Sequence, residues 1–338
     1  MSAAALIEGF PCARLLSGPT PLEPAPRLSE ALGVELWIKR DDLAGPSIGG
    51  NKSRQLEFYL GAAEAEGADT ILITGAVQSN FVRLATACAA RLGMRTIIQL
   101  EDRVAKEGAD YAASGNVLLD EMLGAEIMRY PEGEDEAGAD RALRARAEAL
   151  RAEGKRPFVI PLGLGNRPLG ALGYMLAADE IRAERPFDLI VTASGSALTH
   201  AGLLAGYRAS GDDTRIVGGC VRRPADQQGP RVARVVGDIE ALIGAPVGVH
   251  DGDVELRDGA LAPGYGQVSP AAAEAMRMAA RMEGLILDPV YTAKAFAALL
   301  ELVAEGGVPK GVRVCFLHTG GLAAVFAYGA DIRAAMVR

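Results

Sequence analysis

The stretch DTILITGAVQSNFVRLATACAARLGMRTIIQL, residues 69–100, decides the fold. It holds two short runs, DTILIT (69–74) and RTIIQL (95–100), whose central residues 70–74 and 96–98 are β-branched or apolar at successive positions. Strands with one wet face alternate, whereas continuous apolar runs belong to strands covered on both sides. Between the runs lies SNFVRLATACAARLG (79–93), alanine- and leucine-rich, opening on Ser and Asn and closing on Gly. Those are helix start and stop signals. Strand, helix and strand in this order form a parallel pair joined by a right-handed crossover.

Outward from this unit the alternation continues. Strands are expected at ELWIKR (35–40), AEIMRY (125–130), PFVIP (157–161), DLIVTA (188–193), RIVGGC (215–220) and RVCFLH (313–318). Helices are expected at 53–67, 140–154 and 168–184. The fold class is therefore α/β, with mainly parallel sheets flanked by helices. PEGEDEAGADRALRARAEALRAEGKR (131–156) reads as a solvated helix with its preceding loop, and 223–266 as a helix followed by a surface connection.

With 338 residues the chain is long enough for two domains. A net charge of -8 without a basic cluster argues against a nucleic-acid partner. The first residues lack the basic and apolar regions of a signal peptide, and no segment has the apolar length of a membrane span. Cys12, Cys88, Cys220 and Cys315 show no metal or disulfide spacing, which fits free thiols in a reducing cytoplasm. The three histidines show no ligand spacing, and no metal is expected.

Sites in α/β proteins sit at the carboxyl ends of parallel strands. In IKRDDLAGPSIGGNKSRQLEF (38–58), a Gly/Pro/Ser loop leads to Lys52 at a helix start. A phosphate-binding P-loop needs Gly directly before the lysine, and Asn51 breaks that match. A surface lysine is one reading. A lysine whose pKa is depressed by the helix dipole, as an amine nucleophile requires, is the other. After the next strand, Gln78, Ser79 and Asn80 open a helix. Such residues cap helices, and they also bind carboxylates there. Ser194, Gly195, Ser196, Ala197, Leu198 and Thr199 follow another strand as a small, hydroxyl-rich cup suited to phosphate. LILDPVYTAKAFAAL (285–299) with Tyr291, RVCFLHTGGLAAVFAY (313–328) with Thr319, and Tyr265 in APGYGQVS are weaker signals singly.

Together these segments resemble the fold-type II pyridoxal-phosphate (PLP) enzymes of the D-cysteine desulfhydrase, 1-aminocyclopropane-1-carboxylate (ACC) deaminase and L-cysteate sulfo-lyase group. The matching pieces are PTPLEPAPRLSEALG, IKRDDL, GGNKSRQLEF, GAVQSN, ASGSALTHAGL, LDPVYTAKA and FLHTGG, in order over nearly the whole chain. The resemblance implies a tryptophan synthase β-like fold, with a large domain from 1–50 and 164–338 and an inserted smaller domain over 51–163. It implies Lys52 as the Schiff-base lysine, Asn80 at the cofactor's phenolic oxygen, and Ser194 to Thr199 around its phosphate. Thr319 would face the pyridine nitrogen. Asn51, Gln78, Ser79, Asn80, Tyr265 and Tyr291 would contact a small amino-acid substrate, with Lys52, Ser79 and the two tyrosines catalytic. A homodimer is the usual assembly.

A neutral hydroxyl at the ring nitrogen cannot hold a pyridinium as a carboxylate does, which favours prompt loss of a β-substituent and release of pyruvate and ammonia. Several positions depart from the group. Gln55 stands where a lysine is usual, Phe81 replaces a histidine, and Leu198 replaces a glycine. PLGLGNRPLGALGY (161–174) brings Arg167 into a loop expected near the site. Thr292 follows Tyr291 where ACC deaminases carry glutamate, which favours elimination of a sulfur leaving group over ring opening. The expected activity is thus D-cysteine desulfhydration. L-cysteate sulfonate elimination aided by Arg167, or an ACC deaminase-like activity, is the alternative, and a PLP or small-molecule binding protein with altered catalysis is another.

Overall fold

The structure, a computed structural model, describes residues 2–336 except 107 and 163. All eight expected strands form, as β2 (Glu35–Lys39), β3 (Thr70–Ala76), β4 (Arg95–Glu101), β5 (Glu126–Tyr130), β6 (Pro157–Ile160), β7 (Leu189–Ser194), β8 (Arg215–Cys220) and β10 (Arg313–Leu317). Two further strands of three residues, β1 (Leu22–Pro24) and β9 (Glu255–Arg257), lie at the edges of one sheet. They escape sequence reading because neither is long or apolar enough to carry a period, and β1 contains a proline, tolerated at an edge.

The strands make two sheets. Six strands run in the order β1-β2-β10-β7-β8-β9, parallel except for antiparallel β1, and four run in the order β5-β4-β3-β6, all parallel. The boundary expected at residue 163 lies outside the described residues.

Successive side chains of the central strands enter different cores. In the larger sheet, Val191, Val314 and Phe316 pack with Phe296 and Leu299, whereas Ile190, Cys315 and Leu317 pack with Tyr174, Leu203 and Tyr207. In the smaller sheet, Ile71 and Ile73 face Leu56 and Val82, while Leu72 and Ile97 face Leu143 and Leu150. Both faces are dry, which is why these strands read as unbroken apolar runs.

The charged stretch 131–156 is not simply solvated. Its helix, Glu136–Ala152, buries Leu143, Ala147 and Leu150 against the smaller sheet. The helices Leu169–Glu184 and Leu198–Ala209 pack closely through Gly202, where an added Cβ would lie 2.4 Å from the Ala171 carbonyl oxygen.

A buried ionic cluster ties the larger sheet to the helix Lys52–Ala65. Arg54 bridges Asp41 at 3.0 Å and Glu180 at 2.8 Å, and Tyr174 donates to Asp41 at 2.6 Å. Burial alone would raise the Asp41 carboxyl, but Arg54, Tyr174 and Thr20 outweigh it and hold it below the ordinary range. The cluster fixes both ends of the 40–51 loop.

Candidate active site

The carboxyl ends of β2, β3, β4, β7, β8 and β10 converge on one cavity between the sheets, as the topology requires of a parallel α/β protein. It is lined by twelve of the fourteen residues expected from the sequence: Asn51, Lys52, Ser79, Asn80, Gly195, Ser196, Ala197, Leu198, Thr199, Tyr265, Tyr291 and Thr319.

Lys52 is the first residue of its helix and half-buried. Its Nζ donates to Gln55 Oε1 at 3.3 Å and lies 5.5 Å from the centre of the Phe81 ring. Desolvation pulls its pKa from 10.5 down to about 8, so about a tenth of the amine is neutral at pH 7, far more than for an ordinary lysine. The preceding loop is constrained. Ser47 and Ile48 both adopt positive φ, and the Asn51 backbone N–H donates to the Thr319 carbonyl at 3.0 Å.

The cup forms where β7 gives way to the helix Leu198–Ala209. Ala197 takes the left-handed conformation (φ 81°), which turns the chain sharply into the helix. The first-turn N–H groups of that helix lack intrahelical partners and border the cavity, a natural seat for an anion. The Thr199 hydroxyl accepts from Gln55 Nε2 at 2.9 Å and from Asn51 Nδ2 at 3.0 Å, so Gln55 joins the cup to Lys52. Leu198 lines the cavity, and the glycine-like turn falls to Ala197 instead.

Tyr265 and Tyr291, also in the lining, meet hydroxyl to hydroxyl at 2.5 Å. Burial first, and Tyr265 next, raise the Tyr291 phenol well above its ordinary value. Asp288 holds Tyr291 in place. Its carboxylate accepts from the N–H groups of Val290, Tyr291 and Thr292 at 2.8 to 3.0 Å and from the Thr292 hydroxyl at 2.8 Å. Thr292 is thereby committed to Asp288 and stays out of the cavity lining. Lys294 donates to the carbonyls of Leu261 and Gly264, anchoring the loop that carries Tyr265. That loop is part of the site, not merely the surface connection expected from its composition. The Thr319 turn is shaped by His318, whose Nδ1 accepts from Gly320 N–H at 3.2 Å and whose Nε2 meets the Ile286 carbonyl at 3.0 Å.

Two expected residues are not brought to the lining. The Gln78 side chain bonds to the Tyr111 and Ser114 carbonyls and to the Asn116 N–H. The Ser194 hydroxyl is buried, accepting from Gln228 Nε2 at 3.0 Å beside His200. Arg167 is exposed and does not line the cavity itself; it borders an adjoining cleft that shares Leu162, Ser196, Leu198 and Arg231 with it.

What sequence reading missed is a basic wall. Arg103, Arg222, Arg223 and Arg231 all line the cavity, together with Glu136. Arg222 and Arg223 each reach Glu136 Oε1 at 2.7 Å, and Arg231 approaches Oε2 at 3.7 Å. Burial would raise the Glu136 carboxyl, yet Arg222, Arg231, Arg223 and Arg103 hold it below the ordinary range. Arg103 pairs with Glu101 at 2.6 Å. Arg103, Glu136 and the group Arg222, Arg223 and Arg231 come from three segments with no shared spacing, and only their common place after strand ends could have flagged them.

Comparison with known proteins matches residues 13–320 to the family described as pyridoxal-phosphate dependent enzymes. The chain belongs to that family. It is 40% identical over 323 residues to a D-cysteine desulfhydrase of Salmonella paratyphi C (strain RKS4594), covering 94% of this chain and 96% of that protein. A D-cysteine desulfhydrase of Salmonella typhi is 41% identical over the same length and shares. Among solved structures, an ACC deaminase homologue superposes with a TM-score of 0.88 at 37% identity, covering 99% of both chains. An O-ureido-L-serine synthase, at 17% identity and a TM-score of 0.66, shares the fold.

The residues present fit the family's cofactor. A desolvated amine, an anion seat at a helix N-terminus and the Asn80 amide face one cavity. No carboxylate is among the residues 194–199 of the cup.

Proposed function

We propose that this PLP-dependent enzyme eliminates a sulfur leaving group from the β-carbon of a small amino acid, D-cysteine foremost, giving pyruvate and ammonia. The observation that carries this reading is the desolvated Lys52 amine sharing a cavity with the 196–199 cup. The D-cysteine desulfhydrases at 40 to 41% identity supply the substrate.

PLP supplies the electron sink for chemistry at Cα. In our reading Lys52 holds the cofactor and then takes the Cα proton, for which a pKa near 8 suits an amine at neutral pH. Ser196 to Thr199, with Gly195, seat the phosphate, and Gln55 keeps Thr199 and Lys52 in register. Asn80 and Thr319 hold the ring. Ser79 and Asn51 border the place of the substrate carboxylate. The Tyr265–Tyr291 pair holds a proton in the cavity lining, where a departing thiolate needs one. Thr292, committed to Asp288, supports elimination over ring opening.

The arginine wall favours a second reading, loss of an anionic sulfur group such as the sulfonate of L-cysteate. Arg222, Arg223 and Arg231, rather than Arg167, would recognise it.

We also propose a homodimer in a reducing cytoplasm. Leu43, Ile48, Ile286 and Leu322 border one cleft, Phe326 follows Leu322 by one helical turn, and all five are exposed. Such a contiguous apolar patch suits a self-complementary interface. Cys12, Cys88, Cys220 and Cys315 are free thiols. The division at 51 and 163 follows the two sheets approximately, and we propose it as the domain boundary.

Borohydride reduction with peptide mapping tests the site: a pyridoxyl group on Lys52 is expected, and its appearance elsewhere would overturn the assignment. Pyruvate release from D-cysteine, with no 2-oxobutanoate from ACC, tests the substrate. No pyruvate from D-cysteine, β-chloro-D-alanine or L-cysteate would end the elimination reading.

A further inference from the structure

Arg83 and Asn116 lie outside the cavity lining, yet they join two of its walls. Arg83 is buried in the helix Asn80–Arg91, one turn beyond Asn80. Its Nη groups donate to the carbonyls of Ser47 and Gly49. These belong to the loop ahead of Lys52 in which Ser47, Ile48 and Gly49 all have positive φ. Its Nε donates to Asn116 Oδ1 at 3.1 Å. Asn116 Nδ2 then donates to Asn80 Oδ1 and to the Gln78 carbonyl, each at 3.1 Å. Gly115 permits this approach, since an added Cβ there would lie 2.7 Å from Gln78 Oε1.

The two ends of an amide are alike in shape, so their orientation follows from the chemistry of their partners. Arginine can only donate, and a backbone carbonyl can only accept. Asn116 must therefore turn its oxygen to Arg83 and its nitrogen to Gln78 and Asn80. Asn80 must answer with its oxygen, which leaves its NH2 for the cavity. Among the described residues that NH2 has no hydrogen-bond partner.

We propose that Arg83 and Asn116 are positioning residues that fix Asn80 as a hydrogen-bond donor to the cavity, suited to an anionic oxygen on the bound cofactor, while Arg83 also secures the loop that delivers Lys52. An unsupported Asn80 would present either end of its amide. The relay fixes the polarity without touching the ligand. It rests on the reading that the cavity holds PLP at Lys52.

The test is Asn116→Asp, isosteric but able only to accept from both Arg83 and Asn80. Asn80 must then turn its NH2 away and present its oxygen to the cavity. Titration of the cofactor-free protein with PLP should show binding weaker by about tenfold to a hundredfold, the loss of one charge-assisted hydrogen bond. The absorption maximum of the bound cofactor should shift. In an Asn80→Ala background, Asn116→Asp should change the affinity by less than about twofold, because the relay's endpoint is gone. A general folding defect would instead weaken binding equally in both backgrounds, and that result overturns the proposal. So does wild-type affinity with an unchanged spectrum in Asn116→Asp. Failure of the unaltered protein to bind PLP at Lys52 would instead defeat the cofactor assignment beneath it.

Discussion

Replacing Lys52 by methionine should stabilise the cofactor-free protein at neutral pH while abolishing cofactor attachment. Burial lowers the Lys52 pKa from 10.5 to about 8. Below that value the folded chain holds a poorly hydrated ammonium, compensated among the described residues only by Gln55 Oε1 at 3.3 Å and the face of Phe81. In the unfolded chain the same amine keeps its proton up to its ordinary value. Between about pH 8 and 10.5 the unfolded state therefore binds more protons, so stability rises with pH across that window. Below the window the folded state carries the full handicap. A gap of about 2.5 pH units, at about 1.4 kcal/mol each, sets an upper bound of about 3 kcal/mol. Methionine has a similar length and no charge to desolvate. Lys52→Met should thus exceed the parent by up to about 3 kcal/mol at pH 7, and the difference should vanish near pH 10.5. Urea unfolding of both cofactor-free proteins at pH 7, 9 and 10.5 measures this, since all other titrating groups are shared. Equal stability at pH 7, or a difference that stays constant as pH rises, would refute the reasoning.

Other side chains give further expectations. Asp288→Ala strips the acceptor from three N–H groups in and beside a buried turn. It should cost about 3 kcal/mol in thermal or urea unfolding and loosen Tyr291; an unchanged midpoint would show that water replaces the carboxylate fully. Lys294→Met frees the Leu261 and Gly264 carbonyls. Steady-state kinetics should show kcat/KM lower by about tenfold as Tyr265 drifts, and parental kinetics would mean the loop is held by other contacts. Gly218→Ala places a Cβ 2.5 Å from His200 Nδ1 and 2.8 Å from Ser194 Cβ. It should destabilise by about 1–3 kcal/mol, read as a lower unfolding midpoint. Arg167→Ala, on an exposed residue outside the cavity lining, should leave turnover of every substrate within about twofold; a larger loss would show that the adjoining cleft takes part in the site.

The sequence by itself determined the α/β class and the eight longer strands. Runs such as 71–73 and 189–191 are apolar at successive positions because both faces of each sheet are dry, and that leaves a strong local signal. It also marked the strand-end segments, where Gly, Ser, Asn and Thr gather at helix starts, although capping draws on the same residues, as Ser79 does in accepting from the Val82 N–H. Local pattern could not say which way each side chain turns. Ser194 and Ser196 are two residues apart in one loop, yet Ser194 faces Gln228 while Ser196 borders the cavity. Gln78 and Asn80 divide in the same manner, one serving the 111–116 segment and the other the cavity. Spacing could not assemble the basic wall either. Arg103 follows β4, Glu136 follows β5, and Arg222 and Arg231 both follow β8, and only the shared parallel direction within each sheet brings them to one rim. Lys52 shows the division most plainly. Its place at the head of a helix is written in the chain, but the burial that lowers its pKa exists only once the two sheets close around it.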